Sequence, residues 1–252
     1  MSTRFTAGHS AVGRRAAWAP GPQAPQLATG AVHVWRVDLD AVGGGVLERL
    51  SAGERDRAAG IAVERERALW SRSRGVLREL LARYAAGQAD RVELSIGSNG
   101  KPECSRRGGG DLFFNLSHSR NLALYAFSGD APVGVDIEVM RGERARAGVD
   151  RIRVGRRALG EHEARRLSQV APERREWEFL RAWTRHEAEL KRLGRGIGGT
   201  RAQRRPECGC SPAQADDHRA APATVELDVG LQAAAALALA RRPGELWRWA
   251  WA

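Results

Sequence analysis

The chain has 252 residues, of which 42% are hydrophobic and 28% charged, with a formal net charge of +11 at pH 7. That length and apolar content allow one domain or two compact ones with a buried core. No stretch approaches the roughly 20 consecutive apolar residues of a membrane helix, and the N-terminus lacks the apolar segment of a secretory signal.

The basic surplus attracts anions and is almost entirely arginine: the only lysines are Lys101 and Lys191. Cys104, Cys208 and Cys210 form no paired CxxC. With His218 the last two offer fewer than the roughly four ligands of structural zinc. A reduced, cytoplasmic protein is the reading that fits such cysteine usage.

In chain order, residues 1–30 are rich in Ala, Gly and Pro without periodicity and predict a loose leader. A strand is expected over 31–39, through Val32, Val34, Trp35, Val37 and Leu39. Helices follow near 45–60 and 64–86; the second carries Leu69, Leu77, Leu80, Leu81 and Tyr84 at helical spacing. Strands are expected at 91–96, 112–117, 121–128 and 133–138, then an Arg/Gly-rich connection over 139–155. Helices resume at 156–169 and 172–193, and the polar stretch 195–222 reads as a long loop. Strand patterns return at 223–229 and 233–240, after which Trp247, Trp249 and Trp251 alternate on one face. Two halves, 31–130 and 131–252, each carry one long amphipathic helix. The expectation is a pseudo-duplicated α+β architecture, although the sequence itself holds no detectable repeat.

The chemistry concentrates in three places. In Val133-Gly134-Val135-Asp136-Ile137-Glu138 the two carboxylates sit at i and i+2 of a strand, so they leave the same face. Side by side they repel unless a cation lies between them; taken alone, the pair also fits the polar face of a half-buried strand. Trp183, Glu187 and Lys191 are each four apart on the helix expected at 172–193 and line one face of it. A solvated i,i+4 ion pair is the plainer reading of the last two. In Phe114-Asn115-Leu116-Ser117-His118-Ser119, neighbouring strand residues point to opposite faces. His118 is therefore badly placed to take a proton from Ser117 or Ser119; it suits a phosphate better, or else a buried hydrogen bond.

Together with Gly100-Lys101-Pro102, these segments resemble the 4′-phosphopantetheinyl transferases, specifically the larger surfactin-synthetase-activating type. That family's signature runs Gly-Lys-Pro, Phe-Asn-x-Ser-His-Ser, Val/Ile-Gly-Val/Ile-Asp-Ile-Glu and Trp-x-x-Lys-Glu-Ala-x-x-Lys. This chain keeps the order from residue 100 to residue 196, with a weaker likeness upstream at Ser73-Arg74-Gly75-Val76-Leu77-Arg78.

The resemblance implies two similar α+β halves with coenzyme A in the cleft between them. It implies transfer of the phosphopantetheine arm to a serine of an acyl or peptidyl carrier protein, in polyketide or nonribosomal peptide synthesis, possible also in fatty-acid synthesis. Asp136, Glu138 and Glu187 would hold Mg2+, with Mn2+ as the alternative. Glu187 would help deprotonate the serine, and Lys191 would stabilise the pyrophosphate and protonate the leaving group. Lys101 with Pro102, His118, Arg74 and Ser117 would bind the nucleotide's phosphates.

One departure is plain: His186 stands where the family pattern has a lysine, replacing a permanent charge by a mostly neutral ring. This leaves a weakened member that only binds carrier or coenzyme A as a second reading. A basic nucleic-acid-binding protein is a third, and it gives no account of the paired carboxylates. The expected state is a monomer off the membrane, because both halves of the cleft lie in one chain.

Overall fold

The computed structural model describes residues 18–85, 92–96, 102–106, 112–140, 150–195, 222–230 and 232–251, with residues 92–96 and 102–106 described by backbone alone. Lys101, Cys208, Cys210, His218 and nearly all of the 195–222 loop lie outside the described residues.

The chain begins with a two-residue strand β1 (Ala19–Pro20), then β2 (Ala31–Asp38) and a 3₁₀ turn (Gly44–Arg49). Helices α1 (Ala52–Ala59) and α2 (Glu64–Tyr84) follow, then β3 (Val92–Ile96), β4 (Pro102–Arg106), β5 (Phe113–Ser119), β6 (Leu122–Ser128) and β7 (Val133–Val139). The rest comprises α3 (Arg151–Ala158), α4 (Glu161–Ser168), α5 (Pro172–Arg192), β8 (Ala223–Glu226), β9 (Ala233–Leu239) and β10 (Glu245–Ala250).

Three differences from the periodicity have local causes. The helix expected over 45–60 is broken at Leu50, because Ser51 forms a capping box with Glu54 that starts α1 afresh. The helix expected over 156–169 starts earlier, at an Asp150 cap, and is split by Gly160, whose φ of 96° no helix tolerates. Strand β4 went unread because Pro102-Glu103-Cys104-Ser105-Arg106 has no apolar alternation; it pairs with β3 as an antiparallel hairpin. Residues 18–30, part of the expected loose leader, are held in place: β1 pairs with β10, and the Trp18 indole donates to the Asp228 carbonyl.

Two sheets organise the molecule, a five-stranded one in the order β1-β10-β2-β6-β5 and a three-stranded one in the order β7-β9-β8. Within them the same pattern occurs twice. β2, β6 and β5 are joined by antiparallel ladders in that order, as are β7, β9 and β8. Each set has a 21-residue helix between its first and second strand in the chain, α2 in one case and α5 in the other. The α+β architecture is therefore built of two like units. The C-terminal strand departs from a simple division at residue 130, because β10 returns to pair in parallel with β2.

Burial gives the layers. Leu77, Leu80, Leu81 and Tyr84 of α2 pack on Trp35, Val37, Phe114, Tyr125 and Phe127, one face of the larger sheet. The other face, through Val32, Val34, Leu122, Leu124 and Ala126, packs on Val133, Val135, Ile137, Ala235, Leu237 and Leu239 of the smaller sheet. α5 covers the far side of that sheet, where Ala188 meets Ala236 and Ala238. The result is helix, sheet, sheet, helix. β6 is buried along its whole length, as expected of a central strand covered on both faces.

Candidate active site

Alternation along β7 sends Val133, Val135 and Ile137 into the core between the sheets and leaves Gly134, Asp136 and Glu138 for the α5 side. α5 comes very close there. A Cβ on Gly134 would lie 2.0 Å from the Ala188 carbonyl oxygen and 2.4 Å from the Arg192 amide, so only glycine fits. With a small-residue floor from β9 as well, the helix presses its Glu187 and Lys191 against the acidic strand.

Asp136 and Glu187 are buried, 4% and 5% exposed. Lys191 Nζ lies 2.6 Å from Asp136 Oδ1 and 2.8 Å from Ser117 Oγ, and the Ser117 hydroxyl donates to that same Oδ1 at 2.8 Å. The other carboxylate oxygen, Asp136 Oδ2, is buried and has no hydrogen-bond partner among the described residues. Burial raises the Asp136 pKa, opposed by the charge and hydrogen bond of Lys191, by Ser117 and by the Ile137 amide. The Glu187 pKa is raised too, first by burial, then by the negative charge of Asp136, with Glu138 adding and Lys191 opposing. These couplings identify Asp136, Glu138 and Glu187 as neighbours, with negative charge crowding a poorly solvated spot. Among the described residues, no group of three or more His, Cys, Asp or Glu side chains stands ready-made as a metal cluster. An orphaned buried carboxylate oxygen beside two further carboxylates is nonetheless a donor set suited to a hard cation.

The remaining expected site residues are spread around this centre. Ser117 is buried and His118 exposed, so the two point apart as strand alternation requires. The His118 pKa is lowered by the crowding of protein around the ring and then by the positive charge of Lys191, with Glu66 of α2 opposing. Ser117, expected at a phosphate, hydrogen-bonds Asp136 and Lys191. Arg74 belongs to a separate charge cluster: its guanidinium is 3.4 Å from Glu54 and stacks over Trp70 with 5.5 Å to the ring centroid. Burial lowers its pKa, with Glu54 opposing. Pro102 opens β4. Trp183, half-buried, packs on Phe179 with ring centroids 5.7 Å apart. His186 is also half-buried, and burial lowers its pKa, so the ring is neutral at pH 7.

Two side chains of the 114–119 segment have partners that the sequence reading gave no hint of. Asn115 Oδ1 accepts the Val135 amide at 2.9 Å. Ser119 Oγ donates to Glu138 Oε2 at 3.0 Å while accepting the Val139 amide at 3.1 Å. The signal available was a polar row at alternate positions, Asn115, Ser117 and Ser119, on a strand that is otherwise apolar.

Comparison with known proteins agrees with the geometry. The sequence profile described as the 4′-phosphopantetheinyl transferase superfamily matches residues 132–236, a stretch that holds β7 and α5. The 4′-phosphopantetheinyl transferase HetI of Nostoc sp. is 33% identical over 184 residues, covering 71% of this chain and 76% of that protein. AcpT of Salmonella typhi is 38% identical over 102 residues, covering 40% of this chain and 50% of its own. The transferase psf-1 of Bacillus pumilus is 31% identical over 141 residues, 54% of this chain and 56% of its own. With the acidic strand and the Glu187/Lys191 helix inside the matched stretch, and with likeness to HetI along most of both chains, this protein belongs to the 4′-phosphopantetheinyl transferase superfamily.

Proposed function

We propose that the protein transfers the 4′-phosphopantetheine arm of coenzyme A to a serine hydroxyl of an acyl or peptidyl carrier protein in polyketide or nonribosomal peptide synthesis. The observation that carries this reading is the meeting of Asp136 from β7 with Glu187 and Lys191 from α5 in one buried, charge-crowded place. The names of the relatives HetI, AcpT and psf-1 support the same reaction.

In this reading the carrier serine oxygen attacks the β-phosphorus of the coenzyme A diphosphate, and the bond to the α-phosphate oxygen breaks. Phosphopantetheine becomes esterified to the serine, and adenosine 3′,5′-bisphosphate leaves. Glu187 is the carboxylate assigned to take the serine proton, directly or through a bound water. Lys191, whose ammonium already sits against Asp136, faces the charge that builds on the leaving phosphate and returns a proton to it. Asp136, Glu138 and Glu187 are the residues that would hold Mg2+, or Mn2+ in its place. Such an ion, when bound, neutralises the diphosphate and polarises its phosphorus. His118, Arg74 and Lys101 with Pro102 are assigned to the nucleotide's phosphates, and the neutral His118 ring would bind there as a hydrogen-bond donor.

The larger, pseudo-dimeric type is the best assignment, supported by the strand order repeated in both sheets. The proposed state is a cytoplasmic monomer; among the described residues no helix is long and apolar enough to cross a membrane. The test is to incubate the protein with apo carriers of several classes, coenzyme A and Mg2+, and to weigh the carriers by mass spectrometry. A phosphopantetheine mass gain on at least one carrier is expected; no gain on any would defeat the reading.

His186 motivates a second reading, a weakened member that binds carrier or coenzyme A without turnover. It predicts no mass gain with either the wild type or His186→Lys. If the wild type turns over and His186→Lys is markedly faster, the residue is a brake on an active enzyme instead.

A further inference from the structure

β7 and β5 are edge strands of their respective sheets, and they pack against each other without sharing a backbone ladder. An edge strand exposes a row of amide and carbonyl groups that must find partners once buried. Here the partners are side chains. Asn115, Ser117 and Ser119 leave β5 on one face at alternate positions and meet β7 in step: the Val135 amide, the Asp136 carboxylate, then the Glu138 carboxylate with the Val139 amide. Lys191 closes the same edge, with its ammonium 3.4 Å from the Val135 carbonyl oxygen.

The proton inventory of the two serines is complete. Each hydroxyl has one proton and gives it to a carboxylate; each accepts one hydrogen bond, from Lys191 at Ser117 and from the Val139 amide at Ser119. Apolar side chains at these positions would fill the space and leave two β7 amides and two carboxylates without these partners. The row does two things at once. It joins the two repeated units of the fold, and it fixes the direction in which both acidic side chains of β7 look.

We propose that Asn115 and Ser119, with Ser117 between them, are positioning residues: a side-chain strap from β5 that sets the register and orientation of the Asp136/Glu138 pair. None of the three needs to touch coenzyme A for this role. The orientation part rests on the functional reading given above; the strap itself does not.

The experiment has three readouts on the full chain. Amide hydrogen exchange by NMR reports the strap directly: Ser119→Ala is expected to raise exchange at Val139, and Asn115→Ala at Val135, by about tenfold or more while β9 amides stay protected. Mn2+ affinity, read by electron paramagnetic resonance, is expected to fall about tenfold in Ser119→Ala and to recover in Ser119→Thr, which keeps the hydroxyl. In carrier modification, kcat is expected to fall with the carrier KM unchanged. Ser119 is only half-buried, so its variants keep the fold even if Asn115→Ala does not. Unchanged exchange at Val135 and Val139 would overturn the strap. Changed exchange with Mn2+ affinity and kcat at wild-type values would overturn the positioning role. A wild type that binds no Mn2+ and modifies no carrier would sink the functional reading and the orientation claim with it, while the exchange readout still decides the strap.

Discussion

Buried titratable groups give this protein opposing responses to acid. The His33 ring is fully buried, with Nδ1 2.8 Å from the Tyr84 hydroxyl, which itself accepts from the Trp35 indole at 2.9 Å. The Tyr84 hydroxyl can donate to Nδ1 or accept from it, so this contact fixes no tautomer; burial is what keeps the ring neutral at pH 7. Burial lowers the His33 pKa from 6.5 to about 4. A lowered histidine favours the fold above its unfolded pKa, and that contribution is lost as pH falls from 6.5 toward 4, by ~3 kcal/mol in all. Asp136 and Glu187, whose pKa values are raised, run the other way: protonation at low pH favours the folded state. Urea unfolding at pH 7 and pH 4.5 is therefore expected to show a larger stability loss for the wild type than for His33→Gln, and equal losses would contradict the neutral-ring account. The site residues most legible in the sequence were those whose spacing within one element carries the signal, Asp136 with Glu138 and Glu187 with Lys191. The contacts of Asn115 and Ser119 were not legible, because their partners lie 20 and 19 residues away across a gap between sheets that no periodicity records.

At the scale of elements, the approach of α5 to β7 decides whether the site exists. Gly134→Ala would force the helix backbone away, at a cost of about 3 kcal/mol, and would move Glu187 and Lys191 off Asp136. Gly75→Ala is the comparison: its Cβ would meet the Val46 carbonyl oxygen at 2.4 Å on the α2 side, and because Arg74 is its neighbour any functional effect is expected in the coenzyme A KM rather than in kcat. Both variants are expected to melt earlier, but only Gly134→Ala to lose kcat in proportion beyond its unfolded fraction; equal retention of kcat would separate helix placement from chemistry. α2 was readable from its apolar spacing, and α5 lies where a helix was expected over 172–193. The shorter helices were not, since Ser51 and Gly160 interrupt them through capping and backbone conformation rather than through polarity. The two-unit plan was legible only as one long helix per half. The repeated strand order became apparent once the ladders were known, because β6 is apolar on both faces and says nothing of its neighbours.

For the whole molecule, a net charge of +11 makes association with an acidic partner dependent on ionic strength. Raising salt from about 0.05 to about 0.2 M is expected to raise the carrier KM several-fold and to leave kcat nearly constant; a salt-independent KM would place the recognition in uncharged contacts. The two like units matter because each supplies what the other lacks: the first gives the side chains that cap the acidic strand, the second gives Asp136, Glu138, Glu187 and Lys191. The claim beneath all of this is that β7 and α5 act as one chemical unit, and a double-mutant cycle on transfer rate tests it most directly. Asp136→Asn and Glu187→Gln are each expected to lower kcat by about a hundredfold or more, and the pair together by little more than either alone. Losses that simply multiply, or a near-normal rate in either single variant, would show that the two carboxylates do not share a site.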